Sequence, residues 1–207
     1  MDSLREKTLV TTSLKDLPAT PTELKAAAGV ALDITANFTC PTSTAAGGGA
    51  AGNCSAGLRA RVSKDAKDFV EVSFSCPAAD RSADCQVAIS AVGAGPPDIS
   101  SSSSGNASVA AGATAAATRL DAASRGAGSF AVPFSTSAPF DGTFSLRVLL
   151  DTCVLEVYAG DTKLQGRAID TMMYLPADPT SDGVAVLGLS EGVDVALEVH
   201  SMGSAFA

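Results

Sequence analysis

The stretch FSLRVLLDTCVLEVY, from Phe144 to Tyr158, is the most informative part of the sequence. It holds two runs of valine, leucine and aromatic residues, which only Asp151, Thr152 and Cys153 separate. Such residues favour β-strands, and apolar side chains on both faces are typical of strands inside a sheet. We therefore expect this stretch to lie at the centre of a β-sheet, or with its outer face against another domain.

Similar strand patterns recur along most of the chain. Apolar and polar residues alternate in four further segments, which predicts strands with one buried face. These segments are residues 30–38, 58–62, 70–76 and 85–91. More strand-like runs follow from Ser129 to Met202, and glycine-containing turns after Tyr158 and Leu189 favour antiparallel pairing of consecutive strands. About ten short strands with almost no helix predict an all-β fold, either a two-sheet sandwich or a barrel.

The first 29 residues are interpreted as an interdomain-type linker with one short helix. The sequence from Thr20 to Glu23 combines an N-cap residue, a first-turn proline and a capping-box glutamate, and Gly29 ends the helix. We place the β-sandwich domain at residues 30–207. Two segments rich in Ala, Gly and Ser, at about 41–56 and 93–127, are expected to be flexible insertions in it.

The composition excludes several classes of function. The net charge of −8 and the pI near 4.5 argue against a nucleic-acid partner, because such proteins neutralise phosphates with basic residues. No stretch has the uninterrupted apolar length of a membrane span. The hydrophobic content of 46% can support a core, although the chain has no Trp. We expect a protein with neither a nucleic-acid nor a membrane partner.

Four of the five cysteines are placed to form two disulfides. Cys40 and Cys54 bracket a loop rich in Gly and Ala. Cys76 and Cys85 bracket a loop between two strand patterns. Each closure would stabilise the fold by about 3 kcal/mol, but four cysteines allow three connectivities. Cys153 is left over, and we expect it to be a small buried apolar residue.

Three N-glycosylation sequons begin at Asn37, Asn53 and Asn106. Together with the pairable cysteines they favour an oxidising, secretory compartment. The first ten residues, MDSLREKTLV, have neither the basic nor the apolar region of a signal peptide. We therefore expect that the chain lacks its true N-terminus.

Candidate catalytic groups are few. His200 is the single histidine, so a nucleophile–base triad or a Cys/His zinc cluster would be difficult to form. Asp151 and Glu156 have the residue type of a glycosidase pair, but regular pleating would place them on opposite faces unless a bulge or turn intervenes. Four loop acids could bind calcium without EF-hand spacing, and solvated turn residues are the expectation. They are Asp178, Asp182, Glu191 and Asp194.

The segment LRVLLDTCVLEVYAGD, residues 146–161, resembles the most recognisable part of the C-terminal β-sandwich in glycoside hydrolase family 32. Members there carry a Leu-Arg pair, an aspartate four residues on, and a Glu-apolar-aromatic triplet before a turn with glycine. Cys153 stands where the family usually has serine. The lead-in at 21–25 and the end of the chain at 181–206 are also similar. The segment matches at Leu146, Arg147, Val148, Leu150, Asp151, Val154, Leu155, Glu156, Val157 and Tyr158.

This resemblance implies a jelly-roll or concanavalin-like sandwich behind a catalytic five-bladed propeller. The family's catalytic motifs, W-M-N-D-P-N-G, R-D-P and E-C, are missing, because the chain has no Trp, no Arg followed by Asp and no Glu followed by Cys. Asp151, Glu156 and Tyr158 match structural positions of the sandwich. The resemblance thus implies no catalytic, cofactor-binding or metal-binding residue, and an extracellular or vacuolar parent enzyme.

Three functions follow as hypotheses. The first is the non-catalytic sandwich of a β-fructofuranosidase-like enzyme, with the propeller as its partner in the same longer chain or in a separate one. The second is a free-standing, lectin-like module whose ligand is a fructan or another glycan. The third is a structural surface protein that has kept the fold without a sugar-related role.

Overall fold

The computed structural model describes residues 4–41, 53–77, 85–92, 129–134, 140–152, 154–160, 167–173 and 180–203. Twelve β-strands and no α-helix are found in this part of the chain. The strands are β1 (Arg5–Leu14), β2 (Thr22–Glu23), β3 (Ala31–Thr39), β4 (Asn53–Val62), β5 (Phe69–Pro77), β6 (Cys85–Val92), β7 (Ser129–Phe134), β8 (Thr143–Asp151), β9 (Val154–Gly160), β10 (Arg167–Met173), β11 (Gly183–Gly188) and β12 (Asp194–Met202).

The strands form two six-stranded antiparallel sheets that pack face to face, so the expected two-sheet β-sandwich is confirmed. Sheet A has the order β1-β12-β3-β8-β9-β10, and sheet B has the order β2-β11-β4-β5-β6-β7. The two strands formed by the Phe144–Tyr158 stretch, β8 and β9, lie inside sheet A. The apolar runs therefore predicted the centre of a sheet correctly.

Three phenylalanines form the middle of the core between the sheets. The ring of Phe74 on β5 stacks on Phe144 of β8 at a centroid distance of 4.3 Å, and it lies 5.1 Å from Phe38 of β3. All three side chains are less than 2% exposed. Small and branched residues such as Ala36 and Ile89 fill the space around the rings. The core thus joins strands from both sheets through aromatic contacts.

The helix expected from Thr20 to Gly29 is absent, and that prediction is wrong. Thr22 and Glu23 form β2, which pairs with β11, and the Leu24 amide donates to the Val184 carbonyl at 2.9 Å. Leu24 is buried. A helix of one or two turns has an unfavourable nucleus, so backbone bonds to a neighbouring strand outcompete local capping signals.

Residues 5–14 were expected to belong to a linker, but they form the edge strand β1 of sheet A. β1 pairs with β12, with Arg5 opposite Met202 and Leu14 opposite Val195. The strand carries two register irregularities and several charged residues, both of which protect an exposed sheet edge from pairing with other chains. Because this edge strand carries many polar and charged side chains, its sequence was not recognised as a strand.

Two details of sheet B differ from the alternation pattern. Strand β4 begins at Asn53, so the end of the segment interpreted as an insertion at 41–56 pairs with β5. A β-bulge follows at Arg61, because Val62 pairs with Gly183 and Ala60 pairs with Val184. Arg61 has a φ of 56° and is buried, whereas Val62 is only partly buried. The expectation that Val62 continues the buried face is thus wrong. Residues 42–52 and the segment 93–127 lie outside the described residues.

The turn from Leu189 to Val193 was expected to join two paired neighbouring strands, and that prediction is wrong. The turn leads from β11 in sheet B to β12 in sheet A. The chain between β1 and β2 crosses over this turn, where the Gly188 amide donates to Pro18 O at 2.9 Å and Leu17 N donates to Val193 O at 2.8 Å. A Cβ on Gly188 would collide with the Leu17 carbonyl oxygen, so this close crossing requires glycine.

Two disulfides reinforce the sandwich. Cys40 follows β3 in sheet A and is joined to Cys54 on β4 in sheet B, so this bond links the two sheets. Cys76 and Cys85 link the neighbouring strands β5 and β6. This connectivity is the one that the loop positions favoured among the three alternatives. Cys153 lies outside the described residues.

Candidate functional site

The outer face of sheet A, which points away from the core, carries the polar residues of the family-like segment. Residues directly opposite each other on paired strands share one face of a sheet. Asp33 on β3 lies between His200 on β12 and Leu149 on β8, and Leu149 in turn lies opposite Glu156 on β9. One row across the sheet therefore brings two carboxylates and the single histidine onto the same face.

Asp33 is the centre of an ion network on this face. Arg147 of β8 donates from Nε to Asp33 Oδ1 at 2.9 Å and from Nη2 to Oδ2 at 2.7 Å. Arg5 of β1 donates from Nε to Oδ2 at 2.6 Å. The Asp33 side chain is 1% exposed, whereas the two arginine side chains are 24% and 28% exposed. The two arginines thus bury the carboxylate on an otherwise open sheet face and connect β1, β3 and β8.

Burial by itself would raise the pKa of Asp33, but the hydrogen bonds from Arg147 and Arg5 outweigh it and hold the pKa below its usual value of 3.8. A carboxyl whose pKa is lower in the folded state contributes stability above its unfolded pKa, and that contribution disappears as the pH falls through the folded pKa.

We expect the difference in free energy of unfolding between the unmodified chain and Asp33→Asn to be constant from about pH 7 to about pH 5 and to shrink below about pH 4. Urea titrations of both proteins across this range measure the difference. A gap that instead widens toward acid would contradict the assignment, because it would mean that the charged form of Asp33 is destabilising.

Glu156 and Tyr158 lie next to this network on β9. The Tyr158 hydroxyl donates to Glu156 Oε2 at 2.8 Å, and this bond is the main reason that the pKa of Tyr158 is raised above 10.0. Tyr158 lies directly opposite Arg147. Glu156 and Tyr158 therefore bond to each other and lie beside the Asp33 network. Both residues are part of the polar outer face of sheet A.

Asp151 and Glu156 share the outer face, because the turn that was considered as an exception to regular pleating is present. Asp151 pairs with Val154 and Leu149 pairs with Glu156, because the chain turns back tightly at Thr152, which has a φ of 52°. In a hairpin, residues directly opposite each other on the two strands have their side chains on the same face, so the alternation of faces does not continue unbroken through the turn. Asp151 is exposed at the end of its strand, while Glu156 bonds to Tyr158. The pair lies on an open face and not across a cleft of the described residues.

His200 occupies the row between Thr8 and Asp33. Its Nδ1 shares a hydrogen bond of 3.2 Å with Thr8 Oγ1. Its Nε2 is buried, makes no hydrogen bond and lies 3.5 Å from Glu198 Oε2. No serine or cysteine nucleophile is bonded to this ring within the described ranges, so the geometry gives His200 a place in the sheet surface and not in a triad.

The outer face of sheet B carries smaller side chains in its described part. Ser55 and Ser75 face each other there and share a hydrogen bond of 2.9 Å. Beside them Arg59 donates to Glu71 Oε2 at 2.9 Å, and its guanidinium lies 4.0 Å from the centre of the Phe69 ring. Among its described side chains, this face has a local ion pair but no counterpart of the buried Asp33 carboxylate.

A shallow depression of about 420 Å³ lies where the segment from Asp16 to Ala19 crosses the turn from Gly188 to Gly192. The amides of Leu17 and Gly188 are bonded within the crossing, and those of Leu189 and Ser190 are bonded to the Ser55 carbonyl, so none of these four can donate freely to a ligand. Asp194 beside it pairs with Lys15 and accepts from the Asp16 amide at 3.1 Å, and the Lys15 contact is the main cause of its lowered pKa.

The structure does not bring the acids that were considered for calcium together. Asp182 and Glu191 are exposed on separate turns, Asp194 is engaged as described, and Asp178 lies outside the described residues. No group of three His, Cys, Asp or Glu side chains suited to a metal ion occurs among the residues that the structure describes.

Two of the three sequons can be placed. Asn37 is partly buried on the outer face of sheet A, and Asn53 is exposed at the start of β4. Asn106 lies outside the described residues. Whether any of them carries a glycan stays a prediction.

Sequence reasoning missed Asp33 and Arg5, which form the network with Arg147. The signal for Asp33 was present, since an ionised residue inside the apolar strand LDITANF must be paired to be buried. Its partners could not be identified from the sequence, because Arg5 and Arg147 lie 28 and 114 residues from Asp33 and the register of their strands was unknown.

Sequence comparison matches residues 1–201 of the chain to the family model described as "Glycosyl hydrolases family 32 C terminal". No curated protein matches the sequence. Within the described residues there is no helix with the length and apolar character that crossing a bilayer requires.

Solved structures of similar fold come from enzymes about three times as long. The chain is similar to exo-inulinase from Aspergillus awamori, with a TM-score of 0.58 and 14% identity over 98% of this chain and 31% of that one. It is similar to fructan 1-exohydrolase IIa from Cichorium intybus, with a TM-score of 0.58 and 18% identity over 99% and 37%. For fructofuranosidase from Schwanniomyces occidentalis the values are 0.53 and 11% over 96% and 34%.

Proposed function

Since the chain belongs to the family of glycosyl hydrolase family 32 C-terminal domains, we propose that it is a non-catalytic β-sandwich that stabilises a catalytic five-bladed propeller. The propeller would be supplied by the same longer protein or by a separate chain. The parent enzyme would hydrolyse sucrose or a fructan. The observation that carries this proposal is the family match over residues 1–201, combined with a chain that spans only 31–37% of the enzymes of similar fold.

The chemistry of the chain supports a structural role. Glycosidases use two carboxyl groups that face each other across the scissile bond. On sheet A, Asp33 is neutralised by two arginines and Glu156 is bonded to Tyr158. The first arrangement connects β1, β3 and β8, and the second engages Glu156 within β9, so neither carboxylate is placed as one half of a catalytic pair.

The first test is a search for activity. Incubation of the chain with sucrose, inulin or levan is expected to release no fructose above a buffer blank, because among the described residues no general acid faces a nucleophile across a cleft. Fructose is measured by enzymatic assay or anion-exchange chromatography. Turnover that disappears in Glu156→Gln but persists in the matched variant Glu71→Gln, on the outer face of sheet B, would refute a non-catalytic role.

The second test concerns the partner. The genomic reading frame upstream of the Met1 codon is expected to encode, in frame or in an adjacent gene, a propeller with a W-M-N-D-P-like segment. A frame that encodes an unrelated domain, with no such gene nearby, would argue against the proposal.

A glycan-binding module is the second candidate, and the partly exposed Tyr158 ring on the polar face of sheet A favours it. Aromatic rings with nearby hydrogen-bonding groups are suited to sugar recognition. Affinity electrophoresis in gels with inulin, levan or β-glucan separates the two proposals. The accessory-domain proposal expects no retardation, whereas retardation that Tyr158→Ala removes would favour a lectin-like role.

The place of action that we infer for the parent enzyme is extracellular or vacuolar. Two disulfides in a domain of this size are typical of proteins that fold in an oxidising compartment. Mass spectrometry of the purified protein under non-reducing conditions would count the bonds.

A further inference from the structure

The side chain of Asn37 stands on an open part of the outer face of sheet A. Its neighbours along β3, Ala36 and Phe38, are fully buried on the inner face, so Asn37 points outward. The residues directly opposite are Ser145 on β8 and Ala196 on β12. Neither is larger than serine, and Ala196 is exposed. A group attached to the Asn37 amide therefore has room to leave the sheet on both sides.

No described residue engages the side-chain polar groups of this sequon. Neither Asn37 nor Thr39 makes a side-chain hydrogen bond in the part of the chain that the structure describes. Thr39 is exposed at the end of β3. The native fold thus accommodates a modified Asn37 without breaking an existing interaction, and no buried polar group loses a partner.

The sequon that begins at Asn53 differs in both respects. Its middle residue, Cys54, is bonded to Cys40. Its hydroxyl residue, Ser55, donates to Ser75 Oγ and has its amide bonded to Ser190 Oγ at 2.9 Å. Formation of the disulfide and of the β4–β5 pairing therefore competes with the use of this site.

We propose that Asn37 is the N-glycosylated residue and that its oligosaccharide covers the adjoining part of the outer face of sheet A, whereas Asn53 stays unmodified. A lipid-linked oligosaccharyl diphosphate is the donor. A bond forms between Asn37 Nδ2 and C1 of the first sugar, the bond from C1 to the diphosphate oxygen breaks, and the amide proton leaves to base as the diphosphate departs.

This proposal goes beyond the accessory role and does not depend on a propeller. It does limit where a partner can bind, because an oligosaccharide at Asn37 hinders close packing on the outer face of sheet A. A partner domain would then contact sheet B or an edge of the sandwich.

The test is expression of the full chain behind a secretory leader in eukaryotic cells, followed by digestion with peptide N-glycosidase. A mobility shift on digestion is expected for the unmodified chain and for Asn53→Gln. The shift is expected to be lost in Asn37→Gln and in Thr39→Ala, and retained in Thr39→Ser, which keeps the sequon. The enzyme converts a glycosylated asparagine to aspartate, so peptide mass spectrometry of the unmodified chain locates the site even if a variant folds poorly.

Several results would overturn the proposal. They are no shift in the secreted chain, a shift that only Asn53→Gln or Asn106→Gln removes, and an unconverted Asn37 in the peptide map. Absence of fructose release bears on the accessory role and has no bearing on this outcome.

Discussion

Replacement of Phe74 by alanine is expected to lower the free energy of unfolding by about 4 kcal/mol, as for other large-to-small changes of buried aromatic residues. Phe74 reaches from sheet B to Phe38 and Phe144 of sheet A. Its removal leaves a cavity between the sheets and two rings without their partner. Because domains of this kind are stable by only about 5–15 kcal/mol, the loss is a large part of the total. Urea denaturation with the disulfides intact measures it.

Phe74→Leu is the matched control for this change. It keeps most of the buried volume and loses the ring contacts, so a loss of about 1–2 kcal/mol is expected. If alanine and leucine have the same effect, the cavity between the sheets is not the source of the loss. A loss below about 1 kcal/mol for alanine would show that Phe74 is not at the centre of the core.

Replacement of Arg147 by methionine is expected to lower the free energy of unfolding by about 3 kcal/mol. The change keeps much of the side-chain length but removes two of the three hydrogen bonds to the buried Asp33 carboxylate. An ionised group that has lost its main partner is costly when its side chain is 1% exposed. The measurement is urea denaturation at neutral pH.

Arg59→Met is the control on the other sheet. Arg59 forms one ion pair with Glu71 and covers Phe69, and the paired side chains are 21% and 20% exposed. Water can solvate Glu71 when its partner is removed, so a loss of about 1 kcal/mol is expected. Addition of Asp33→Asn to Arg147→Met should recover part of the larger loss, because it removes the buried charge. Equal effects of the two arginine changes would contradict the role of Asp33 burial.

The sequence predicted the elements whose signals are local. Alternation located β3, β5 and β6, and the uninterrupted apolar runs identified β8 and β9 as interior strands. Loop positions favoured the two disulfides that the structure contains. In each case neighbouring residues carry the information, since the period of a strand and the size of a loop are visible within about ten residues.

The features that escaped prediction depend on contacts distant in sequence. The short segment at Thr22 and Glu23 is a strand because β11 lies beside it, and the bulge at Arg61 appears only in its pairing with β11. The Asp33 network needs the register of four strands, β1, β12, β3 and β8. Tertiary contacts decided these cases, and a single sequence carries no direct record of register.

The position of β12 has a consequence for synthesis of the chain. β12 lies between β1 and β3, and it includes residues up to Met202. During translation, the edges of β1 and β3 that pair with β12 therefore stay unpaired until nearly the whole domain has left the ribosome. Pairing between strands so far apart in sequence is slow, and unpaired strand edges in a nascent polypeptide promote aggregation with other chains. We therefore expect chaperones that bind such intermediates to raise the yield of this domain.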